Sequence, residues 1–247
     1  MRAGPIDQEV LSLVDDLLRG VEALPRLEIA PGLPGDAQAS GRRETVLRAV
    51  RTKILPELRF PGKLPVFVGV QGGANVGKST IFNALAGQLL SPAVVQASAT
   101  KHPLIFTHEV WRDALLDPET FPDLECRELQ DPKELLVDAE RTELLYLRFH
   151  RDASLESLGL IDSPDFDSAL ETNLEVARQV TALSDLTVFV TTAQKYRDRE
   201  LVAHLSLLLQ LKARVLVVFN MLDEDIVYNT LLEDLRSTVF PSGGDIP

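Results

Sequence analysis

Gly72-Gly-Ala-Asn-Val-Gly-Lys-Ser-Thr80 matches the pattern G-x-x-x-x-G-K-[ST] over its whole length. The run before it, Pro65-Val-Phe-Val-Gly-Val-Gln71, has the apolar character of a buried strand, and the run after it, Ile81-Phe-Asn-Ala-Leu-Ala86, that of a helix start. Strand, glycine-rich loop and helix together make this pattern a phosphate-binding loop. Glycines let the main chain curl so that successive N–H groups point at phosphate oxygens. The helix N-terminus adds its positive dipole end. Lys78 is expected to reach β- and γ-phosphates, and the Ser79 hydroxyl to ligate Mg²⁺. A glycine-rich turn can be merely a tight connection. However, two glycines, a lysine and a hydroxyl at fixed spacing arise by chance in a chain of this size only about once in a hundred times.

The 247 residues suit one large domain, or one domain with an appendage. A hydrophobic fraction of 45% is enough for a sizeable core. The net charge is −12, and residues 1–60 hold nine basic and nine acidic residues, so the rest of the chain carries the whole excess. Such a surface repels bare polyanions, so non-specific nucleic-acid or anionic-membrane binding is not expected. Cys126 is the only cysteine, which rules out an internal disulfide and suits a reducing compartment. The start, Met1-Arg-Ala-Gly-Pro5, does not open an apolar signal segment. No run approaches the ~20 apolar residues of a membrane span. The expected location is cytoplasmic.

Ile6, Val10, Leu13, Val14, Leu17, Leu18 and Val21 recur at helical spacing over residues 6–24, and residues 31–41 read as a linker rich in proline and glycine. A second helix is expected over about 42–58, with Val46, Leu47, Val50, Ile54, Leu55 and Leu58 on one face, ended by Pro56 and Pro61-Gly62. Its basic cluster (Arg42, Arg43, Arg48, Arg51, Lys53) is more often a solvated face than a binding site. From residue 65 short apolar strands alternate with helices. Strands are expected near 65–71, 104–111, 143–150, 156–161, 186–192 and 214–220, and helices near 78–90, 168–183, 198–211 and 224–238. Residues 112–141, rich in Asp, Glu and Pro, read as a loop with a short helix around Pro132–Glu140. The fold class is therefore α/β: a three-layer P-loop NTPase sandwich, mostly parallel, with helices on both faces and an N-terminal helical segment before it. The division is 1–60 for that segment and 61–247 for the nucleotide-binding domain.

Three further stretches bear on the nucleotide. Asp162 follows the apolar run Leu158-Gly-Leu-Ile161, where a carboxylate at the end of a parallel strand can hold Mg²⁺ through a water. The alternative is turn chemistry, since Ser163-Pro-Asp165 comes next. Asn220-Met-Leu-Asp223 follows the strand Arg214–Phe219. The Asp223 carboxylate can accept from both N1–H and the exocyclic amine of guanine, whereas adenine has no donor at N1. Asp223 can equally cap a helix. Thr100, 21 residues after Ser79, can complete a Mg²⁺ shell from a mobile segment, with Ser98 as a competitor and a plain surface threonine as the alternative. His102, His108, His150 and His204 show no metal-ligand spacing.

Taken together these residues resemble the G domain of the translation-factor-related class of P-loop GTPases. Asn75–Thr80 and Ile81-Phe-Asn-Ala-Leu85 are similar to the Era/TrmE branch, whereas Thr100-Lys-His-Pro-Leu104 and the paired strand Leu144–Phe149 are similar to dynamin-like GTPases. The resemblance covers about residues 64–240. It implies nucleotide contacts from Gly72, Gly73, Ala74, Asn75, Val76, Gly77, Lys78, Ser79 and Thr80. It also implies Mg²⁺ at Ser79, Thr100 and Asp162, a catalytic part for Lys78, Thr100 and Asp162, and guanine recognition by Asn220 and Asp223. In potassium-stimulated relatives the asparagine matching Asn75 helps to bind K⁺ beside the phosphates. The implied activity is a Mg-dependent GTP switch with slow intrinsic hydrolysis to GDP and phosphate, working with a protein effector or by self-association. The alternatives are a non-hydrolysing nucleotide-binding interaction module, an ATPase or kinase on the same loop, or a dynamin-like membrane-remodelling enzyme if more chain follows. Four features depart from the family. Its Asp-x-x-Gly ends here in Asp165, whose carboxylate a γ-phosphate repels. Met221 replaces the lysine of Asn-Lys-x-Asp, and Ala74 stands where dynamins have a catalytic glutamine. Pro247 comes where a last strand and the base loop are expected.

Overall fold

The computed structural model describes residues 50–91, 100–137, 140–165, 171–210, 213–222 and 228–239, with positions 12, 13, 16, 19 and 47. The linker read at 31–41, most of the helix read at 6–24, Ser98 and Asp223 lie outside the described residues.

Val66–Gly72 forms β1, and all of it but Val66 and Val68 is buried. The other strands are β2 (Leu104–His108), β3 (Glu125–Glu128), β4 (Leu144–His150), β5 (Leu158–Asp162), β6 (Leu186–Thr192) and β7 (Val215–Asn220). They form one sheet in the order β3-β4-β2-β5-β1-β6-β7. β1 lies between β5 and β6 and is parallel to both. The only antiparallel seam among the described strands joins β2 to β5. Beyond it β4 and β3 follow the direction of β2, so three strands run against the other four.

Alternate residues of this sheet bury on opposite faces, as a strand covered on both sides requires. Val70, Leu104, Phe106, Tyr146, Val188 and Val190 join Phe82 of α2 (Lys78–Ala86) on one face. Phe67, Ile105, Leu145, Leu147 and Ile161 meet Val180 and Leu183 of α4 (Glu171–Leu183) on the other. Phe189 and Phe219 extend that second layer under α5 (Arg199–Gln210) and α6 (Tyr228–Val239) through Leu201, Leu205, Leu208 and Leu235. The architecture is the three-layer α/β sandwich with helices on both faces.

Three stretches differ from the sequence reading. Pro56 does not end a helix. It occupies the first turn of α1 (Leu55–Arg59), where a missing N–H leaves no bond unmade, after a π-helical turn at Val50–Ile54. Here two residues of the basic cluster, Arg51 and Lys53, are put to structural use. Arg51 pairs with Asp123 at 2.9 Å, and Lys53 with Asp185 at 2.7 Å, while Asp185 also accepts from the Phe67 N–H. Residues 112–141 hold more than a loop: α3 (Arg112–Leu116), β3, and a 3₁₀ turn at Pro132–Leu136 with a capping box from Asp131 and Glu134. β3 is a short edge strand whose charges pair with Arg112 and Arg141, a feature that disfavours edge-to-edge pairing. Burial pushes the Cys126 thiol on β3 up to about 12, so it is inert as a nucleophile. The strand expected at 104–111 stops at His108, whose ring accepts from the Val110 N–H and turns the chain.

Phe82 is fully buried where α2 meets the sheet. Phe82→Ala is expected to cost about 3–5 kcal/mol by leaving a cavity there, checked by urea unfolding with m unchanged.

Candidate functional site

The loop after β1 begins at Gly72, which lies opposite Val190 of β6. A Cβ at Gly72 would come within 2.3 Å of the Val190 carbonyl, so only glycine lets the strand turn there. Just before it, the buried Gln71 amide donates to Thr181 at 3.2 Å, and its carbonyl oxygen takes the His204 Nε2–H at 2.7 Å. Burial lowers the His204 pKa to about 4, with Arg178 adding to it, so the ring stays neutral and keeps that donor. The strand end is therefore fixed from both sides before the loop departs.

Asn75 takes a left-handed conformation (φ 58°), as does Gly77 (φ 91°), which precedes α2. Gly77 must be glycine twice over, because a Cβ would also stand 2.3 Å from the Asn220 amide nitrogen. That amide donates to the Val76 carbonyl at 2.9 Å, joining the end of β7 to the loop. Val76 is buried in the core beneath, so the loop is pinned from below while Asn75 stays exposed.

Lys78 is 5% exposed, and its ammonium donates to the Gly73 carbonyl at 2.7 Å. It also forms an ion pair with Asp165, whose side chain is 19% exposed. The residue at which the family pattern is broken thus holds the loop lysine itself. The Ser79 hydroxyl donates to Asp162 Oδ2 at 3.1 Å. Asp162 is fully buried, and burial drives its pKa up to about 6 against the pull of Ser91, Lys78 and Ser79. Ser91 acts on Asp162 from nearby, but neither its hydroxyl nor Asp162 Oδ1 completes a hydrogen bond of acceptable geometry.

This donor set fits Mg²⁺. A buried carboxylate oxygen without a partner, beside a serine hydroxyl, is relieved by a hard cation that restores the ionised form. Among the described residues no group of three or more His, Cys, Asp or Glu could hold a metal. A Mg²⁺ here would therefore depend on few side chains, with phosphate and water oxygens completing its shell, the usual mode for this ion.

The remaining sequence-selected residues are placed as follows. Thr100 is buried, four residues before Leu104, which pairs antiparallel with Asp162. It therefore belongs to the same end of the sheet as the loop, but no hydrogen bond links it to Ser79 or Asp162 among the described residues. Thr80 is exposed on α2. Met221 is left-handed (φ 54°) and 60% exposed beside the loop. Asp223 is outside the described residues. Sequence reasoning missed Lys195, whose ammonium donates to the Ala74 carbonyl at 2.8 Å. The usable signal was its place just past β6, since ligands of such sheets gather at the carboxyl ends of strands.

A family model described as 50S ribosome-binding GTPase matches residues 67–221, more than half of the chain. No curated protein matches the sequence. A structure of Era in complex with MgGDPNP and nucleotides 1506–1542 of 16S ribosomal RNA is similar at 18% identity and TM-score 0.44, covering 73% of this chain and 48% of that one. Era from Aquifex aeolicus bound to GDP·AlF4⁻ is similar at 17% identity and TM-score 0.41, over 72% and 47%. A structure of an oligomerised bacterial dynamin pair, described as a mechanism for long-range sensing and tethering of membranes, is similar at 13% identity and TM-score 0.51, over 97% and 36%. The chain thus spans about half or less of these structures' lengths, and at such identities the likeness concerns the fold. The matched span takes in the loop on β1, Asp162 on β5 and Asn220 on β7, and the chain belongs to the 50S ribosome-binding GTPase family, with the G-domain fold of P-loop GTPases.

Proposed function

We propose that this protein binds GTP with Mg²⁺ at the loop after β1 and hydrolyses it slowly to GDP and phosphate, serving as a nucleotide-dependent switch. The observation that carries this reading is a convergence at one end of the sheet. There the buried Lys78 under its glycine-rich loop, the Ser79–Asp162 pair and the Asn220 brace meet at the ends of three strands. In this reading residues 61–247 are the GTPase domain and residues 1–60 a helical segment attached to it. The proposed location is cytoplasmic, and the partner is an effector protein or a second copy of the chain.

The proposed chemistry is displacement at phosphorus. The oxygen of water bonds to the γ-phosphorus while that atom's bond to the β–γ bridging oxygen breaks. GDP leaves with the bridging oxygen, and the proton of the attacking water ends on the released phosphate. Catalysis of this kind is mostly positioning and charge neutralisation. Lys78 would place its ammonium on the β- and γ-oxygens, and the N–H groups of residues 73–80 would line the phosphates. Mg²⁺ would supply further positive charge across the same oxygens, held by Ser79 and Asp162 with Thr100 closing from the segment before β2. Asn75, at the exposed crest of the loop, is the side chain available for K⁺. Asp223 would select guanine, with Asn220 supporting the loop from which it projects.

The Lys78–Asp165 pair favours a second reading, a nucleotide-binding module that does not turn over, since the lysine already has a carboxylate partner. Five measurements test these readings. Calorimetric titration with GTP, GDP and ATP, each with Mg²⁺, should show guanine selectivity. Lys78→Ala should abolish tight binding, a loss of about a hundredfold or more, because Lys78 is the side chain that bridges the β- and γ-oxygens. Asp223→Asn should narrow the preference for GTP over ATP, because the carboxylate's discrimination against adenine is gone. Asp165→Asn removes the competing charge at nearly constant size. It should tighten GTP binding about tenfold, below the full strength of a charge-assisted bond because the amide still accepts from Lys78. Single-turnover phosphate release distinguishes slow hydrolysis from none.

A further inference from the structure

The segment after β6 turns tightly, with the N–H groups of Lys195 and Tyr196 both donating to the Thr192 carbonyl at 3.1 and 3.0 Å. This turn brings the Lys195 side chain back over the loop that follows β1, where its ammonium donates to the Ala74 carbonyl at 2.8 Å. One residue earlier the Gly73 carbonyl accepts from the Lys78 ammonium at 2.7 Å. Two ammonium groups therefore rest on consecutive carbonyls of a single loop. Their strands are neighbours in register, Gly72 opposite Val190, so the juxtaposition is built into the sheet. Arg197, the next basic residue of the turn, is directed elsewhere: its guanidinium makes a bidentate pair with Asp234 at 2.6 and 2.8 Å.

Asp165 already balances Lys78, and a triphosphate that displaced it would lie against the same loop on which both ammonium groups rest. In a loop of this kind the later N–H groups, at the start of the helix, take the inner phosphates, and the loop lysine takes the β- and γ-oxygens. Ala74 precedes those N–H groups and belongs to the outer end of the phosphate chain. Its methyl group has nothing to offer a phosphate, so any charge at that end must come from elsewhere in the fold.

We propose that Lys195 is a γ-phosphate ligand supplied within the chain, which makes the site prefer guanosine triphosphate to diphosphate and neutralises charge on the γ-phosphoryl oxygens during transfer. This rests on the reading of the loop as a GTP site. A lysine is a compact point charge on a flexible stem. It can leave the Ala74 carbonyl for a phosphate oxygen without movement of the main chain.

The test uses the full chain and two variants. Lys195→Met keeps the stem and removes the charge, while Lys195→Arg keeps the charge. Affinities for fluorescent GTP and GDP analogues are measured with Mg²⁺ present, followed by single-turnover phosphate release. The Met variant should bind GTP about tenfold more weakly with GDP affinity unchanged, and should release phosphate more slowly than the unaltered chain. The Arg variant should restore most of the GTP-to-GDP ratio. If the Met variant weakens both nucleotides equally, or neither, Lys195 only staples the turn to the loop and the proposal is overturned while the GTP reading stands. If the unaltered chain binds neither nucleotide, both are overturned. If it binds both without hydrolysing, the affinity ratio alone decides for or against Lys195.

Discussion

A lysine ammonium that is 5% exposed needs an anion, and the architecture around the first strand follows from that requirement. One loop carbonyl at 2.7 Å is not enough to balance a buried charge, and Asp165 supplies the rest. The same geometry makes the position attractive to phosphate, which carries more charge and more acceptor oxygens than a carboxylate. Exchange of one anion for the other is thus the basic event the site can perform. Gly72, Gly77 and the Asn220 amide hold the loop in the one shape that presents Lys78 to either anion.

Asp165 lies three residues past Asp162, whose own carboxylate is fully buried beside the Ser79 hydroxyl. Two carboxylates therefore leave the end of one strand toward neighbouring side chains of one helix start, Ser79 and Lys78. An incoming phosphate–metal unit would act on both, displacing Asp165 from the lysine and drawing Asp162 toward the cation. In the proposed reading, occupancy of the loop would thereby be felt at both carboxylates. Such a coupling would require only charge, without a glycine at the third position after Asp162.

Where a residue's part is local, the sequence was legible. The strand–loop–helix run at 65–86 declared itself because glycine, lysine and serine are needed at fixed offsets whatever surrounds them. The buried strands read clearly because the sheet is covered on both faces and their residues are nearly all apolar. Edges and long-range partners were not legible. Glu125–Glu128 reads as loop because an edge strand can carry charges that Arg112 and Arg141 satisfy from elsewhere in the chain. Pro56 reads as a stop because nothing local shows that a helix begins, rather than ends, at that point. Lys195 looks like any solvated lysine until the register of β6 with β1 carries it over the loop. The pairing of Asp165 with Lys78 crosses 87 positions, and the sequence announced only the missing glycine.

The overall charge of −12 opposes a site that holds anions, and distance resolves the conflict. At physiological salt, fields from exposed carboxylates fade over about 8 Å, so an approaching triphosphate meets little of the average charge. What it meets in the last few ångströms is local: two ammonium groups on adjacent carbonyls, the N–H groups of a curled loop and the dipole end of α2. The acidic surface slows encounter without weakening the bound state in proportion, because affinity is set by short contacts and approach by the far field. A chain of net negative charge can therefore keep one compact position where phosphate is favoured.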